Sequence, residues 1–455
     1  MKGHILVVDD IPANLRLLEA KLLLENFRVT LAESGKKALE ILADQAIDLI
    51  LLDVMMPEMD GFELCQRIRK QKKLQNLPIV MVTAFGDIQH RVRSLEVGAD
   101  DFLTKPINDI ALFARIKSLL QLKFLTDQLH LREKTLSDFY LLPTSNFSTN
   151  DEIVYDNILL IHEANLAAEK IKKTLEEIRC HVDLVTNKQS MENVGSKIQD
   201  YAVIILSLST TENGLELLSI LRSDELTRRI PVLLTADESQ LNKVVIGLEM
   251  GATDYFLRPV EKAEVLLRCR TQVRKSLYQE RLKTIQNKSV STAFIDEGTG
   301  LYNKKYLIKY LDSLANDQVE SKRNLSIAIL SFMLPKSASS NRNSFDLIEK
   351  TAKEVSKKIV THLSVTDLLI RLSPFDFAVI MNNTPVPVAL QFTTKIKNHL
   401  TDINLTKDQG LNAVKLEASI IDTGKFPNNK PYSQNILEEI ERIIIQNKQF
   451  LGVNS

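Results

Sequence analysis

The chain has 455 residues, of which 44% are hydrophobic and 25% charged, a balance typical of a globular protein with about three domains. Its 58 basic and 58 acidic residues cancel, so the overall charge gives no reason to expect nucleic-acid binding. Three widely separated cysteines, Cys65, Cys180 and Cys269, suggest neither a disulfide framework nor a metal cluster. We find no signal-peptide pattern and no uncharged apolar run of the ~20 residues that a membrane span needs, so we expect a cytoplasmic protein without membrane insertion.

Residues 1–122 alternate short apolar runs with amphipathic stretches. Runs of Ile, Leu and Val predict three strands of a parallel sheet that is covered on both faces. They lie at 5–8, 49–52 and 79–82. Helices are predicted after Pro12, Gly61 and Ile107. This alternation predicts a doubly wound α/β domain, whose ligands bind at the carboxyl ends of the strands.

The last helix of this domain is predicted to continue beyond it. Apolar residues recur at heptad-like spacing from Leu122 to Phe139, with Arg132 at an intermediate position, and Pro143 should end the helix. The pattern leaves packing within the chain and a seam between two chains equally open. A polar linker is predicted at 144–150.

Five polar side chains stand at the predicted carboxyl ends of the strands. They are Asp9, Asp10, Asp53, Thr83 and Lys105. A carboxylate can attack a phosphohistidine donor in line and form an acyl phosphate, and Mg2+ held by oxygen ligands neutralises the charge at the transfer. We predict Asp53 as the nucleophile, with Asp9, Asp10, Asp53 and the backbone carbonyl of Met55 as the metal site. Lys105 and Thr83 are predicted to stabilise the phosphoryl oxygens.

The same framework recurs at 155–277 without this chemistry. When the two segments are aligned at a constant shift of 153 positions, each of the five polar residues is matched by a residue of a different type. Asp9 and Asp10 become His162 and Glu163, Asp53 becomes Leu206, Thr83 becomes Ala236, and Lys105 becomes Arg258. Ser207 adjoins Leu206, but alternation along a strand should turn it to the opposite face. We therefore predict a domain that takes no phosphoryl group and offers a surface instead.

Residues 4–122 closely resemble the receiver domain of bacterial two-component response regulators. The resemblance is carried by Asp9-Asp10, Asp53-Val54-Met55-Met56-Pro57 with Asp60-Gly61, Thr83-Ala84 and Lys105-Pro106. It implies that a sensor histidine kinase or a phosphotransfer protein donates the phosphoryl group. It also implies that Phe102 is the aromatic residue that reports phosphorylation. Tyr255 is the counterpart of Phe102 at the constant shift, and for it a plain core or surface role is favoured over a role in a domain contact.

The last segment begins with Asp296 and then Thr299-Gly300-Leu301-Tyr302-Asn303, which resembles the start of GGDEF diguanylate cyclase domains. Its strands and helices predict an α+β domain with a largely antiparallel sheet. The predicted fold is α/β, with two tandem doubly wound five-stranded parallel receiver (flavodoxin-like) domains followed by an α+β GGDEF-like domain, as in PleD-like response regulators. The predicted boundaries are 1–122 for the first receiver, 123–154 for a helical connector and linker, 155–277 for the degenerate receiver, 278–295 for a second connector and 296–455 for the GGDEF-like domain.

The chemistry implied by the GGDEF resemblance, condensation of two GTP, is missing from these residues. The signature hairpin is Ser373-Pro374-Phe375-Asp376-Phe377, which lacks both glycines and the main acidic residue. The strand that should end in a metal-binding Asp ends in Ser331, and the following segment has Leu334-Pro335-Lys336 and Ser339-Ser340. The Arg-x-x-Asp of the inhibitory product site is replaced by Ser364-Val365-Thr366-Asp367. Lys448 fits a phosphate-contacting lysine, although an exposed helix lysine is favoured.

We therefore predict a homodimeric response regulator, phosphorylated on Asp53, whose GGDEF-like domain lacks cyclase activity. That domain would act by protein contact or by residual binding of GTP or cyclic di-GMP. The alternative is an active diguanylate cyclase under receiver control. A DNA-binding regulator is disfavoured because the segment after 290 has neither a clear helix-turn-helix nor a large basic surplus. A receiver that only buffers phosphoryl groups in a relay is a further alternative.

Overall fold

The computed structural model describes residues 3–84, 93–94, 96–137, 157–186, 195–209, 214–287, 293–316, 325–333, 344–401, 415–423 and 432–451. The chain divides into two compact units. Unit 1 comprises Met1–Thr126 and Asn146–Glu280, and unit 2 comprises Asp127–Ser145 and Arg281–Ser455. No helix among the described residues is both long and apolar enough to cross a bilayer.

The first α/β domain is built on a five-stranded parallel sheet with the order β2-β1-β3-β4-β5. The strands are β1 (His4–Val8), β2 (Arg28–Ala32), β3 (Leu49–Asp53), β4 (Ile79–Thr83) and β5 (Asp101–Thr104). The helices are α1 (Pro12–Leu24), α2 (Gly35–Asp44), α3 (Gly61–Arg69) and α4 (Asp109–Ser137). Each of the three predicted strands is confirmed and is one residue longer than predicted. Ser34 and Asp60 cap α2 and α3 by accepting the backbone N–H of Lys37 and Glu63.

The second α/β domain repeats this strand order as β7-β6-β8-β9-β10. Its strands are β6 (Asn157–Ile161), β7 (His181–Val185), β8 (Val203–Ser207), β9 (Val232–Ala236) and β10 (Asp254–Leu257). Its helices are α5 (Leu166–Glu176), α6 (Gly214–Ser223), α7 (Leu241–Glu249) and α8 (Lys262–Asn287), with 3-10 turns at Gly195–Asp200 and Glu238–Gln240. Both sheets are covered by helices, which explains why their strands are continuous apolar runs.

The strand pairing corrects the predicted match between the two domains. Leu52 pairs with Val8, and Leu206 pairs with Ile161, which lies 153 positions after Val8. Leu206 therefore corresponds to Leu52, and Ser207 corresponds to Asp53. The predictions that Leu206 replaces Asp53 and that Ser207 faces away were wrong. Compared with the first domain around β3, the second domain has one more residue before β8 and one fewer after it. The residues on either side therefore keep the constant shift of 153 positions, although β8 itself is displaced by one residue.

Two glycines support this corrected alignment. A Cβ atom on Gly61 would meet the carbonyl oxygen of Asp53 at 2.3 Å, and one on Gly214 would meet the carbonyl oxygen of Ser207 at 2.6 Å. The backbone approach that requires glycine is thus the same in both domains, with Ser207 in the place of Asp53. Asn213, the predicted counterpart of Asp60, lies outside the described residues.

The two α/β domains pack against each other within unit 1 through a buried arginine. Arg115 of α4 is 1% exposed and forms ion pairs with Asp101 of its own domain, at 3.4 Å, and with Asp254 of the other. Its Nη2 donates to the carbonyl oxygen of Tyr255 at 2.9 Å, and its guanidinium lies 4.9 Å from the centroid of the Tyr255 ring. Tyr255 therefore belongs to the contact between the domains, contrary to the favoured prediction.

The third domain contains a five-stranded sheet with the order β11-β13-β14-β12-β15. The strands are β11 (Tyr302–Asn303), β12 (Leu325–Met333), β13 (Leu368–Ser373), β14 (Asp376–Asn382) and β15 (Lys415–Asp422). Among the described strands of this domain, three of the four pairings are antiparallel and β11–β13 is parallel, as the prediction of a largely antiparallel sheet requires. The helices are α9 (Lys304–Asn316), α10 (Ser344–Val360), α11 (Val386–Thr401) and α12 (Tyr432–Leu451).

The long helix α4 buries its heptad-like residues within the single chain. Leu122, Leu125, Leu129 and Leu136 are buried, and so is the intervening Arg132. This burial favours the first of the two alternatives, packing within the chain. Phe139 and the predicted helix end before Pro143 lie outside the described residues.

Candidate functional site

An acidic cluster lies at the carboxyl edge of the first sheet, where β1 and β3 end. One carboxylate oxygen from each of Asp9, Asp10 and Asp53 lies within 4.8 Å of the other two. Asp9 and Asp53 are buried and Asp10 is half-buried. The parallel pairing of β1 with β3 places the ends of these strands side by side. The three acids are therefore gathered as the sequence predicts.

Lys105 bridges two of these carboxylates. Its Nζ lies 2.7 Å from Oδ1 of Asp53 and 3.1 Å from Oδ2 of Asp9. Asn14 also donates to both oxygens of Asp9, at 3.1 and 3.0 Å, and the backbone N–H of Ile11 donates to Oδ1 at 2.9 Å. Asp9 is thus held on three sides, while Asp10 is half-buried at the open edge of the cluster.

Burial and charge set the protonation of the site. Desolvation raises the pKa of Asp53, helped by the negative charges of Asp9 and Asp10 and opposed by Lys105. Burial acts to lower the pKa of Lys105, but Asp53 and Asp9 outweigh this and raise it. Lys105 therefore stays protonated and supplies a fixed positive charge beside Asp53.

Thr83 ends β4 next to this cluster and is 1% exposed. Among the described residues, its hydroxyl contacts the carbonyl oxygen of Leu103 at 3.5 Å, a long hydrogen bond that another acceptor could replace at little cost. Its own carbonyl oxygen accepts the backbone N–H of Lys105 at 2.8 Å, which fixes the strand end that carries the lysine. Met55 follows Asp53 by two residues and its side chain is 65% exposed.

The donor set fits a divalent cation with hard oxygen ligands. Three carboxylates share one lysine, which leaves a formal charge of −2 that Mg2+ would balance. Mg2+ is held in proteins through one or two carboxylates and keeps several of its waters, and the half-buried Asp10 leaves room for them. The residues present are therefore suited to Mg2+.

The corresponding carboxyl edge of the second sheet carries different residue types. His162 and Ser207 stand where Asp9 and Asp53 stand in the first domain, and Arg258 stands in the place of Lys105. Burial, followed by the charge of Arg258, lowers the pKa of His162, although the backbone of Glu163 opposes this. Arg258 pairs with Asp237 at 2.7 Å. No acidic cluster of the first kind is found here among the described residues.

In the third domain the signature hairpin joins β13 to β14 and is occupied by its own side chains. Ser331 lies directly across from Asp376, and its hydroxyl donates to Oδ1 of Asp376 at 2.7 Å. The Ser373 hydroxyl and the Lys448 ammonium, at 3.2 Å, contact Oδ2. Asp376 is fully buried, so its two oxygens face these partners. Lys448 is therefore tied to an acid of the hairpin, contrary to the favoured prediction of an exposed helix lysine.

Phe375 occupies the middle of this hairpin and packs on strand β12. Its ring packs edge-on against Phe332, with centroids 5.5 Å apart, and its carbonyl oxygen accepts the N–H of Phe332 at 3.0 Å. This aromatic contact packs the hairpin against strand β12. The segment with Leu334, Lys336 and Ser339-Ser340 lies outside the described residues.

The loop formed by residues 364–367 is held by helix α4. Arg132 of that helix is fully buried, and its Nη2 donates to the carbonyl oxygens of Val365, Thr366 and Asp367 at 3.3, 2.8 and 3.3 Å. Desolvation raises the pKa of Asp367 to about 6, despite the backbone N–H of Ser364 and the charge of Arg132. Asp367 is a buried acid of the fold and does not face solvent.

Sequence reasoning missed Asn14, Arg115 and Arg132. The only feature of the sequence that could have indicated the role of Asn14 is its short separation from Asp9 along the chain. The Arg115 contact was detectable, because Arg115 and Asp101 recur as Arg268 and Asp254 at the 153-residue shift. In the sequence, Arg132 is visible only as an interruption of an apolar pattern, because its hydrogen-bond acceptors lie far away along the chain.

Comparison with known proteins matches residues 5–117 to the response regulator receiver domain and residues 293–450 to the diguanylate cyclase GGDEF domain. The response regulator PleD of Caulobacter vibrioides (strain NA1000 / CB15N) is 31% identical over 420 residues, which are 92% of this chain and 91% of PleD. The probable transcriptional regulator ycf27 of Cyanidium caldarium is 44% identical over 118 residues, 26% of this chain and 46% of that protein. The solved structure of a putative response regulator from Chloroflexus aurantiacus J-10-fl is 36% identical and covers 26% of this chain and 97% of that chain, with a TM-score of 0.26.

Proposed function

The chain belongs to the family of PleD-like response regulators, which join a receiver domain to a GGDEF domain, and we propose that phosphorylation of Asp53 switches it while its third domain makes no cyclic di-GMP. The observation that carries the first half is the position of Lys105, 2.7 Å from Asp53 within the acidic cluster. A receiver domain takes its phosphoryl group from a donor such as a histidine kinase. A sensor histidine kinase or a phosphotransfer protein is the partner we propose.

The proposed reaction is an in-line displacement at phosphorus. A carboxylate oxygen of Asp53 attacks the donor phosphohistidine, the P–N bond breaks, and the phosphoryl group becomes an acyl phosphate on Asp53. Lys105 would pair with one phosphoryl oxygen, and the Thr83 hydroxyl would turn from Leu103 to donate to another. Asp9, Asp10, Asp53 and the Met55 carbonyl would hold Mg2+, which when bound neutralises the charge shared by the carboxylate and the incoming phosphoryl group.

The second α/β domain, 155–277, is proposed to be a receiver that has lost its acceptor. Ser207 cannot form an acyl phosphate, and His162 replaces the acid that Lys105 bridges in the first domain. Its role would be to present a surface, which is supported by the Arg115 contact with Asp254 and Tyr255.

The loss of cyclase activity is supported by what surrounds Asp376. Each GTP half-site needs acidic residues that hold Mg2+ and bring the 3′-hydroxyl to the phosphate. Here Ser331 and Phe375 replace acids, and Lys448 already pairs with the remaining one. A metal ion at Asp376 would have to displace a lysine and two hydroxyl groups from a fully buried carboxylate.

Asp53→Asn should abolish labelling by a radioactive phosphodonor, because the amide cannot become an acyl phosphate. The wild-type label should need Mg2+ and should be released by hydroxylamine. Asp60→Asn is a matched control, because Asn also caps α3 and Asp60 lies outside the acidic cluster. Labelling of the Asp53→Asn protein at the wild-type level would contradict the assignment.

To test for cyclase activity, purified protein is incubated with GTP and Mg2+, with and without beryllofluoride, and the cyclic di-GMP formed is measured. We expect no product in either case, from protein that binds beryllofluoride at the first receiver. A product that appears with beryllofluoride would establish the alternative, an active diguanylate cyclase under receiver control.

We propose that the output is a change of contacts, with a homodimer as the working form. Phosphoryl-triggered shifts of a receiver can rearrange the interfaces of its domain. Sedimentation of the wild-type protein should therefore change when beryllofluoride is added, and sedimentation of Asp53→Asn should not. Identical profiles for the wild-type protein under both conditions would argue against this output. Residual GTP or cyclic di-GMP binding by the third domain is measured in the same samples.

A further inference from the structure

Two histidine rings lie side by side at the surface of the third domain, within unit 2. His362 stands two residues beyond the end of α10, and His399 stands in the last turn of α11. Their ring centroids are 4.9 Å apart, and the ring planes are inclined by 60°. His362 is half-buried and His399 is exposed. The pair is therefore accessible to a small ion from solvent.

Hydrophobic packing sets the position of both rings. Ile359 and Ile396 stand three residues before the two histidines, and both isoleucines are buried in the same hydrophobic core. The backbone N–H of His362 donates to the carbonyl oxygen of Ile359 at 3.0 Å, which continues the turn beyond α10. Residues three apart on a helical turn are neighbours on its surface. The core therefore determines where each ring stands and how far apart the rings are.

Backbone carbonyl groups select the tautomer of each ring. Nδ1 of His362 lies 2.9 Å from the carbonyl oxygen of Lys358. Nδ1 of His399 lies at the same distance, 2.9 Å, from the carbonyl oxygen of Lys395. A carbonyl oxygen can only accept, so each Nδ1 carries a proton and donates it. The Thr361 hydroxyl donates to the carbonyl oxygen of Lys358, and it therefore accepts from Nδ1 of His362, 3.0 Å away.

In the neutral rings, both Nε2 atoms consequently carry a lone pair. Among the described residues, neither Nε2 atom of His362 and His399 makes a hydrogen bond. Metal-binding histidines in proteins are oriented in this way, with one ring nitrogen donating to a carbonyl oxygen and the other left for the metal. Each ring is thus prepared as a ligand by its own helical turn.

The separation of the rings fits one shared metal ion. An ion ~2.1 Å from each Nε2 would lie about 3.2 Å from each ring centroid. Two centroids 4.9 Å apart then subtend an angle of about 100° at the ion. This angle lies between the values for octahedral and tetrahedral coordination, about 90° and about 109°.

We propose that His362 and His399 form a site for a divalent transition metal ion such as Zn2+ or Ni2+, which joins the end of α10 to α11. Imidazole nitrogen is a ligand that these ions prefer, whereas Mg2+ prefers carboxylates, carbonyl groups and water. Water completes the coordination on the solvent side. Lys358 and Lys395 bring positive charge to the same turns, but both are exposed, so water and salt screen that charge.

The test is calorimetric titration of the full-length protein with Zn2+ in excess Mg2+, which competes for the acidic cluster of the first domain. We expect saturable binding whose affinity falls at least tenfold in His362→Gln and also in His399→Gln. The reason is that an ion held by one imidazole meets the second at a high effective concentration. Zn2+ should also raise the melting temperature of the wild-type protein and of neither variant, because a ligand that binds the folded chain stabilises it.

His181→Gln is the matched control. The side chain of His181 is 70% exposed and lies beside Asp183, far along the chain from the proposed site, so its loss should leave the Zn2+ affinity unchanged. Circular dichroism checks that each variant is folded. Absence of saturable Zn2+ binding, or wild-type affinity in either folded variant of the pair, would overturn the proposal. An equal loss of affinity in His181→Gln would also overturn it, because Zn2+ would then bind surface histidines without preference.

Discussion

Replacing Asp367 by Asn should stabilise the protein at pH 8 and leave its stability nearly unchanged at pH 4. Asp367 is 9% exposed, and burial raises its pKa from an ordinary 3.8 to about 6. Below pH 4 the carboxyl group is protonated in both the folded and the unfolded chain. Between pH 4 and 6 it is ionised in the unfolded chain but remains protonated in the folded one, so folding loses stability as the pH rises through this window.

The magnitude follows from the size of the shift. About two pKa units correspond to about 3 kcal/mol, all of which is lost above pH 6. An asparagine carries no charge, and its side-chain oxygen can still accept the backbone N–H of Ser364, now 2.9 Å from Asp367. The loss of the attraction between Arg132 and the ionised Asp367 opposes part of the gain. We therefore expect a gain of about 1–3 kcal/mol in the free energy of unfolding at pH 8.

Urea unfolding followed by circular dichroism at pH 4, 6 and 8 measures this difference. Asp312→Asn, at a partly exposed acid on helix α9, is the control and should change stability little at any of the three values. A variant that is less stable than the wild-type protein at pH 8, or whose effect is the same at pH 4 and pH 8, would refute the reasoning. Asp367 would then be an ionised group that is available to a ligand.

Two further changes test the packing within unit 1. Arg115→Met leaves Asp101 and Asp254 buried without their cation, so the free energy of unfolding in urea should fall by about 3–5 kcal/mol, and addition of Asp254→Asn should recover part of the loss. Lys275 is 1% exposed beside Ser118, and burial lowers its pKa to about 7. Stability should therefore rise by about 1.4 kcal/mol per pH unit between pH 7 and 9, and Lys275→Met should remove this rise and stabilise the protein at pH 7. A pH-independent Lys275→Met effect, or no loss in Arg115→Met, would contradict these expectations.

The strands and the acidic cluster of the first domain were predictable because their signals are local. Apolar runs buried on both faces define the strands, and the chain topology then places the residues that follow them at one edge. Asp53 and Lys105 follow β3 and β5, so their proximity needed no knowledge of side-chain packing. The slip between Leu206 and Ser207 was hidden because an insertion and a deletion cancel around β8.

Contacts between distant parts of the chain could not be predicted in the same way. Arg132 finds its acceptors in the backbone of residues 365–367, and backbone carbonyls leave no trace in the sequence. Lys448 finds Asp376 only because α12 packs beside the hairpin. For such residues the sequence gives the chemical group but not its partner, and the partner decides whether a lysine or arginine serves a ligand or the fold.

The division of α4 between two units has a consequence for the order of events during synthesis. The acceptors of Arg132 lie as far as 235 residues further along the chain. At about 5–20 residues per second, the ribosome delivers them roughly 10–50 s after Arg132 has emerged. During that interval Arg132 lacks the carbonyl oxygens that later accept from it, so a nascent chain carries a helical end with an unsatisfied arginine that a chaperone could recognise. A fragment that stops before residue 281 would keep this end exposed permanently.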